Sequence, residues 1–221
     1  AGVAMAMQGS CISSLDVGSA TVKLTEEGSY NLLIGAADMG TGCDTILAQM
    51  VAENMECSVD NVAVFGADTD ASPYDSGSYA SSTTYVTGKA VEMACDKLKK
   101  QMCRIGAQLL GCTPEQVEFQ AGKIVNPATG ESVTAAQVGC KSQLNSDEAA
   151  EATASHASPV SPPPFMVGMV EIELDKLTGL VTVLDYMAVV DCGIPINPAL
   201  ARIQTEGGIV QGIGHTLMEN I

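Results

Sequence analysis

Apolar and polar positions alternate early in the chain in a pattern that predicts a hairpin. The segment 30–36 is apolar at its centre and ends in small residues, which indicates a buried strand. The segment 21–25 alternates apolar and polar side chains, and the polar residues 26–29 favour a turn between the two segments. We therefore expect two antiparallel strands here.

A helix is predicted shortly after this hairpin. Its apolar stripe repeats with the period of an α-helix and consists of Ile46, Leu47, Met50 and Val51. Asp44 or Thr45 is the predicted N-cap, because a side-chain oxygen at that position can accept from N–H groups of the first turn.

The loop between the strand and the helix contains two glycines, Gly40 and Gly42. Glycine permits positive φ, and bare N–H groups at a helix N-terminus suit a phosphate or the edge of a heterocycle. A turn that only reverses the chain explains the same glycines equally well. A dinucleotide-binding fold of the Rossmann type would need a third glycine at position 45, which is Thr45.

More elements are predicted in the middle of the chain. A strand is expected at 62–66, and the long polar segment 67–84 that follows has a length typical of functional loops. A helix is predicted over 86–109 because apolar residues recur there every three or four positions, and Gly111 ends it. A further hairpin is expected within 117–133.

The C-terminal part repeats the early pattern. Alternating segments at 168–174 and 180–190 predict another hairpin, and a helix begins at Asn197 as N-cap, followed by proline at its first position. The order hairpin, loop, helix thus occurs at 22–54 and again at 168–219, which predicts a duplicated α+β architecture with both loops contacting one ligand.

Composition predicts where the chain divides. Residues 143–161 are acidic and rich in alanine and serine, and three consecutive prolines follow. Because prolines favour extended backbone, we interpret 143–165 as a surface linker. The predicted domains are therefore a first α+β unit at 1–142 and a second at 166–221.

Charge and cysteine usage exclude some classes of partner. The 221 residues carry a formal net charge of −16, which argues against nucleic acid or an anionic membrane as a partner. Hydrophobic residues make up 46% of this acidic chain, which indicates apolar surface buried against a partner. Eight cysteines without a C-x-x-C pair are interpreted as reduced thiols of a cytoplasmic protein.

Four ordered motifs resemble one family. Residues 191–198, DCGIPINP, and 204–214, QTEGGIVQGIG, are similar to a signature of the molybdenum-binding subunit of the xanthine dehydrogenase and aldehyde oxidase family. Met39 to Gly42 matches the Met-Gly-Gln-Gly loop that lies beside the pterin in that family. Residues 66–74 and 77–84 resemble its G-D-T-D-x-x-P-Y segment and its small-residue stretch along the pterin phosphate.

This resemblance implies a two-layer molybdenum-cofactor-binding domain and a hydroxylase. The cofactor would be a molybdenum pyranopterin, usually in its cytosine dinucleotide form in bacteria. The substrate would be an N-heterocycle such as a purine, or an aldehyde, hydroxylated with oxygen from water. The implied partners are the remaining segments of the molybdenum subunit and subunits or domains that carry [2Fe-2S] clusters and FAD. A homodimer is compatible with this assembly.

The resemblance also assigns site residues. The cofactor-binding positions are Met39, Gly40, Thr41, Gly42, Ala80, Ser81, Thr83 and Gln204. Thr41 departs from the family, which usually has glutamine there. The family's general base is a glutamate in a G-x-G-E segment, and these 221 residues contain no such segment. The chain is therefore interpreted as a C-terminal portion that has no catalytic residue or direct metal ligand and is inactive alone.

Two other functions remain open from the sequence. A noncatalytic module that binds a protein partner would show the same acidic, apolar composition. A nicotinamide dehydrogenase would explain one glycine loop, although the third glycine and the strand and helix alternation of a parallel sheet are missing.

Overall fold

The computed structural model describes residues 1–144 and 148–220. The chain forms two compact units, a larger one at Cys11–Val160 and a smaller one that combines Ala1–Ser10 with Ser161–Ile221. The predicted division at 1–142 and 166–221 placed residues 1–10 in the first unit, whereas in the structure they belong to the smaller unit. The N-terminal strand, β1 (Gly2–Met7), joins the C-terminal segment through long-range pairing, which local patterns do not reveal.

The larger unit is built on a four-stranded sheet. Its strands are β2 (Val17–Leu24), β3 (Tyr30–Ile34), β4 (Val62–Gly66) and β8 (Glu151–Ala157), in the order β4-β3-β2-β8. The predicted hairpin is confirmed, since β2 and β3 pair antiparallel, whereas β3 and β4 pair in parallel. Parallel neighbours need a crossover connection, and helix α1 (Cys43–Asn54) supplies it.

The linker predicted at 143–165 is wrong in its central part, where residues 151–157 form a strand. Strand β8 lies within it and pairs with the whole of β2 except its last residue. Hydroxyl groups link the two strands, from Ser19 to Ser155 at 2.8 Å and from Thr21 to Thr153 at 2.7 Å. Small side chains on a half-buried strand look like a low-complexity linker in sequence. The linker residues 145–147 lie outside the described residues.

Two helices cover the sheet of the larger unit. Helix α2 (Thr83–Leu110) packs on β2 and β8 and buries apolar side chains such as Leu98, Met102 and Ile105. Gly111 ends it in the left-handed conformation, as predicted. Helix α1 packs beside α2, and its N-cap is Gly42 rather than Asp44 or Thr45.

The rest of the larger unit is a small meander and a short helix. Strands β5 (Glu118–Gln120), β6 (Lys123–Val125) and β7 (Ser132–Thr134) pair antiparallel in that order. The hairpin predicted within 117–133 is therefore a three-stranded sheet. Helix α3 (Ala135–Leu144) follows it, and its last residues overlap the predicted linker.

The smaller unit contains the second predicted hairpin and helix. Strands β1, β9 (Phe165–Leu174) and β10 (Val181–Asp191) form an antiparallel sheet in the order β1-β9-β10. Helix α4 (Pro198–Leu217) begins as predicted, because the Asn197 side chain accepts from the N–H of Leu200 at 3.1 Å. Helices and antiparallel strands in both units confirm the α+β class.

One face of the smaller unit's sheet carries an exposed apolar patch. Residues that face one another across the three strands point to the same side, so the register defines the members of this apolar patch. It consists of Val3, Met5, Met7, Phe165, Val167, Met169, Met187 and Val189. All but Val167 are exposed. No helix in the part of the chain that the structure describes is long and apolar enough to cross a membrane.

We expect the isolated chain to self-associate through this apolar patch. A contiguous apolar surface of this kind is seldom left in water by a monomer. Sedimentation velocity should show association that increases with concentration, and Val189→Lys should shift the distribution toward monomer because it places a charge within the contact. Thr182→Lys, at an exposed polar position of the same strand, is the matched control. A monomer at every concentration tested would contradict this expectation.

Candidate cofactor site

The carboxyl ends of β3 and β4 bring two predicted loops to one edge of the larger sheet. Because the two strands are parallel, the loop that follows each of them leaves from the same edge. The loops are also in contact with the neighbouring elements there. A Cβ on Gly35 would lie 2.6 Å from the carbonyl oxygen of Pro73, and one on Gly66 would lie 3.2 Å from Oδ1 of Asp44. Helices α1 and α2 both begin at this edge.

The glycine loop at 39–42 has the conformation that the sequence predicts. Gly40 has φ of 100° and Gly42 has φ of 77°, both in the region that favours glycine. A Cβ on Gly40 would meet no protein atom within 4 Å, and the Met39 side chain is exposed. The loop therefore has open space directly beside its backbone, which a flat ligand can approach.

Asp38 changes the electrostatics of this loop, a role that the sequence motifs did not predict. Its carboxylate accepts from the backbone N–H groups of Gly40 at 2.9 Å, Gly42 at 3.2 Å and Asp44 at 3.4 Å. The amides expected to face a phosphate therefore already hold a negative charge of the protein itself. This turn suits a neutral or hydrogen-bond-donating group better than an anion. An aspartate two residues before a glycine was the available signal.

These hydrogen bonds give Asp38 a testable pH dependence. The hydrogen bond from the N–H of Gly40 has the largest effect on the pKa of Asp38 and lowers it. Loss of solvent acts in the opposite direction, but the other N–H groups also lower the pKa, which therefore lies below its usual range. Because the folded pKa is lower than the unfolded pKa of about 3.9, the carboxylate stabilises the fold above that pH. The contribution is lost as pH falls through the folded pKa.

We expect Asp38→Asn to lower the free energy of unfolding at neutral pH by a small amount, because Asp38 is exposed to solvent. The difference from wild type should shrink to nothing in acid. Urea unfolding between neutral pH and pH values below the carboxyl range measures it, with Asp96→Asn on the exposed side of α2 as the charge-matched control. A difference that stays constant with pH would contradict the assigned role of the Asp38 charge.

A buried thiol lies next to this carboxylate. Oxygen atoms of Asp38 and Asp44 and the sulfur of Cys43 all lie within 4.8 Å of one another. Burial, and then the two neighbouring carboxylates, raise the pKa of the Cys43 thiol to about 11. Because metal ions bind the thiolate rather than the thiol, this group is a poor metal site at neutral pH. All eight cysteines lie in described residues and are free thiols.

The second loop contains a strained turn at the predicted cofactor residues. Ala80 and Ser81 both have φ of 55°, in the left-handed region that residues with a Cβ rarely adopt. Such conformations persist only where neighbouring groups impose them, and they cluster at ligand sites. Here the Thr83 hydroxyl donates to Ser78 Oγ at 2.6 Å, and the Ser82 hydroxyl donates to the carbonyl of Gly77 at 3.2 Å.

Gln204 lies in the smaller unit, on helix α4. It lines a cleft of about 880 Å³ between this helix and the sheet of the smaller unit. The lining is mostly apolar, and its polar members are Gln8, Tyr186, Gln204, Thr205 and Thr216. The cleft thus combines apolar walls with a few hydrogen-bonding groups, the composition typical of small-molecule sites.

Seven of the eight predicted site residues therefore lie at one edge of the larger unit, in the loops before α1 and α2 or at the start of α2. Glycines with positive φ, open space beside Gly40 and small hydroxyl side chains at Ser81 and Thr83 fit a flat polar cofactor that is held by backbone and hydroxyl groups. These residues fit a pyranopterin.

Comparison with known proteins defines the class. The family described as "Molybdopterin cofactor-binding domain" matches residues 1–221. This chain belongs to that family, in the molybdenum-binding subunits of the xanthine dehydrogenase and aldehyde oxidase group, which confirms the resemblance seen in the sequence.

The relatives share the whole chain but are much longer. "Probable hypoxanthine oxidase XdhD" of Escherichia coli K12 is 33% identical over 221 residues, which are all of this chain and 23% of the relative. "Aldehyde oxidoreductase molybdenum-binding subunit PaoC" of the same strain is 32% identical over 94% of this chain and 27% of its own length. The chain thus spans about a quarter of these curated relatives.

Solved structures show the same fold. Quinoline 2-oxidoreductase from Pseudomonas putida 86 aligns with a TM-score of 0.86 at 24% identity, over all of this chain and 30% of that protein. CO dehydrogenase from Oligotropha carboxidovorans aligns with a TM-score of 0.81 at 23% identity, over 94% of this chain and 28% of that protein.

Proposed function

We propose that this chain holds part of the molybdenum pyranopterin of a hydroxylase that acts on an N-heterocycle, such as a purine, or on an aldehyde. The observation that carries the proposal is the pair of loops with positive φ at the carboxyl edge of the larger sheet. Relatives named as a hypoxanthine oxidase and an aldehyde oxidoreductase subunit support the two substrate classes.

Each proposed residue of the larger unit has a definite task at its carboxyl sheet edge. Gly40 and Gly42 let the cofactor approach the backbone, and Thr41 offers a hydroxyl where the family usually has the longer glutamine. The turn at Ala80 and Ser81 would present backbone and hydroxyl groups to the pterin, and Thr83 would add a hydroxyl at the start of α2. Met39 would cover the ring from the exposed side. Gln204, on the other unit, can donate and accept through one amide.

The cofactor supplies the redox chemistry when bound, a two-electron oxidation of a substrate carbon that takes its oxygen from water. This chain supplies binding and orientation. We propose the cytosine dinucleotide form of the cofactor, partner subunits with [2Fe-2S] clusters and FAD, and a cytoplasmic site of action. Relatives named as subunits of complexes, including "6-hydroxypseudooxynicotine dehydrogenase complex subunit gamma" of Paenarthrobacter nicotinovorans, support an assembly of several chains.

The 221 residues alone should not turn over substrate. Proton transfer in the family needs a glutamate in a G-x-G-E segment, which this sequence does not contain. Turnover of hypoxanthine or an aromatic aldehyde by the purified chain with an artificial electron acceptor would contradict the proposal that its contribution is cofactor binding.

Metal and pterin analysis tests the proposed function directly. The full-length protein that carries this sequence should be purified with its partners from a host that makes the cofactor. We expect molybdenum and an oxidised pterin fluorophore to copurify in equal amounts, and neither to appear from a host that lacks cofactor synthesis. Absence of both from the properly folded protein would favour a noncatalytic, partner-binding module.

A further inference from the structure

Asp75 lies in the second loop, and its side chain contacts three parts of the larger unit. Its Oδ1 accepts from the N–H of Gly77 at 2.9 Å, and its Oδ2 accepts from the hydroxyl of Thr87 in helix α2 at 2.8 Å. Its Cβ packs so tightly on the end of β3 that a Cβ on Gly35 would lie 2.7 Å from it. One carboxylate thus joins the strand edge, the loop and the helix.

The neighbours of Asp75 fix its position. The N–H of Ser76 donates to the carbonyl of Val17 at 2.9 Å, and the N–H of Val17 donates to Ser76 Oγ at 3.0 Å. This pair of hydrogen bonds ties residue 76 to the start of strand β2. Thr87 is 2% exposed, so the hydroxyl that donates to Asp75 comes from a buried, packed helix turn. The carboxylate is therefore anchored on the rigid part of the larger unit.

Gly77, which Asp75 holds, is the start of the strained turn. Its φ is 112°, and its carbonyl accepts from Ser82 at 3.2 Å, so both of its backbone polar groups are bound by side chains. The left-handed residues Ala80 and Ser81 lie in the chain between Gly77, which Asp75 holds, and Ser82, which bonds to the Gly77 carbonyl. Since left-handed conformations cost free energy at residues with a Cβ, the turn needs such attachments to keep its shape.

We propose that Asp75 is a positioning residue that sets the conformation of residues 77–83 and thereby the cofactor contacts of Ala80, Ser81 and Thr83. The cofactor part of this inference rests on the proposed function, whereas the conformational part concerns the protein alone. Asp75 itself acts through the loop and not by touching the ligand. A carboxylate suits this task because it accepts two hydrogen bonds at once from donors on different elements.

Substitutions of Asp75 and Thr87 can distinguish the effect of their hydrogen bonds on the loop from the effect of packing. Asp75→Ala removes both acceptors. Asp75→Asn keeps one acceptor oxygen and turns an NH₂ group toward the other donor, so it can serve only one of them. Thr87→Val removes the donor in α2 at almost unchanged size, and Thr87→Ser retains it. Asp96→Asn, on the exposed side of α2, is the control for loss of charge.

Hydrogen exchange of the cofactor-free chain tests the conformational part. In Asp75→Ala and Thr87→Val, amides within 77–83 should exchange about tenfold faster or more, because a lost hydrogen bond to a charged group opens the turn. Thr87→Ser and Asp96→Asn should exchange as wild type does. Unchanged exchange at 77–83 in Asp75→Ala would overturn the proposal, as would equal acceleration throughout α2, which would indicate general loosening.

Cofactor content of the full-length protein tests the second part. Asp75→Ala and Thr87→Val should retain about tenfold less molybdenum and pterin after gel filtration, and Thr87→Ser should retain the wild-type amount. Wild-type retention in Thr87→Val, together with fast exchange at 77–83, would overturn the link to the cofactor. If wild type itself binds no cofactor, the proposed function fails, and the exchange experiment still decides the role of Asp75.

Discussion

Gly40→Val is expected to remove most of the bound molybdenum and pterin while the protein remains folded. Two effects act together at this position. The backbone of Gly40 has φ of 100°, which a β-branched residue cannot adopt without a strain of about 1–3 kcal/mol, so the loop will change its path. The new methyl groups also enter the open space beside the loop, where the cofactor is proposed to lie. The fold is spared because no protein atom lies within 4 Å of the added Cβ.

A second glycine provides the matched control. Gly130, in the turn before β7, also has positive φ, 76°, and a Cβ added there would also have no protein atom within 4 Å. Gly130→Val therefore introduces the same strain without the proposed cofactor contact. Metal analysis and pterin fluorescence should show loss of molybdenum and pterin in Gly40→Val only. Circular dichroism should show that both variants are folded to the same extent. Full molybdenum occupancy in Gly40→Val would mean that the glycine loop is only a turn.

Periodicity predicted those elements whose stabilising contacts are close in sequence. Helix α2 has an apolar stripe along 28 residues and a glycine at its end, and both hairpins join strands that are adjacent in the chain. Helix α4 was located from Asn197 and the following proline. In each case the side chains that determine the element lie within the element or next to it.

Long-range pairing explains two features that local patterns did not predict, strand β8 and the unit to which strand β1 belongs. Strand β8 forms because β2, which lies far away in sequence, offers it an open edge. The three alanines of β8 themselves have little preference for a strand. Strand β1 joins the smaller unit because it pairs with β9, about 160 residues later. Neither partner can be recognised from local composition.

Motif resemblance located the candidate site, but not the residues that shape it. Seven of the predicted residues lie at one sheet edge, as a shared ligand would require, since the loops follow parallel strands. Asp38 and Asp75 were not predicted. Each carboxylate accepts hydrogen bonds from backbone N–H groups of its loop. These bonds depend on loop conformations that the sequence does not specify. The left-handed backbone conformation of Ala80 and Ser81 was not predicted for the same reason.

The tightest contact between sheet and helix in the larger unit leads to the second large expected effect. Gly18, in strand β2, lies directly under the first turns of α2. A Cβ at this position would lie 2.4 Å from Oγ1 of Thr87 and 2.7 Å from its Cα and N atoms. Two of these three atoms belong to the helix backbone, so a side-chain rotation cannot relieve the overlap. The helix must move away from the sheet.

Gly18→Ala is therefore expected to lower the free energy of unfolding by about 2–3 kcal/mol, near the upper end for one added methyl group in a packed core. Urea unfolding followed by circular dichroism measures this change. Gly2→Ala in strand β1 is the control, because its Cβ would make an ordinary contact at 3.6 Å with Val170 and should change stability by about 0.5 kcal/mol or less. Displacement of α2 would also carry the Thr87 hydroxyl away from Asp75, so amides within 77–83 should lose protection together with stability. Wild-type stability in Gly18→Ala would show that α2 does not lie as close to β2 as the contact requires.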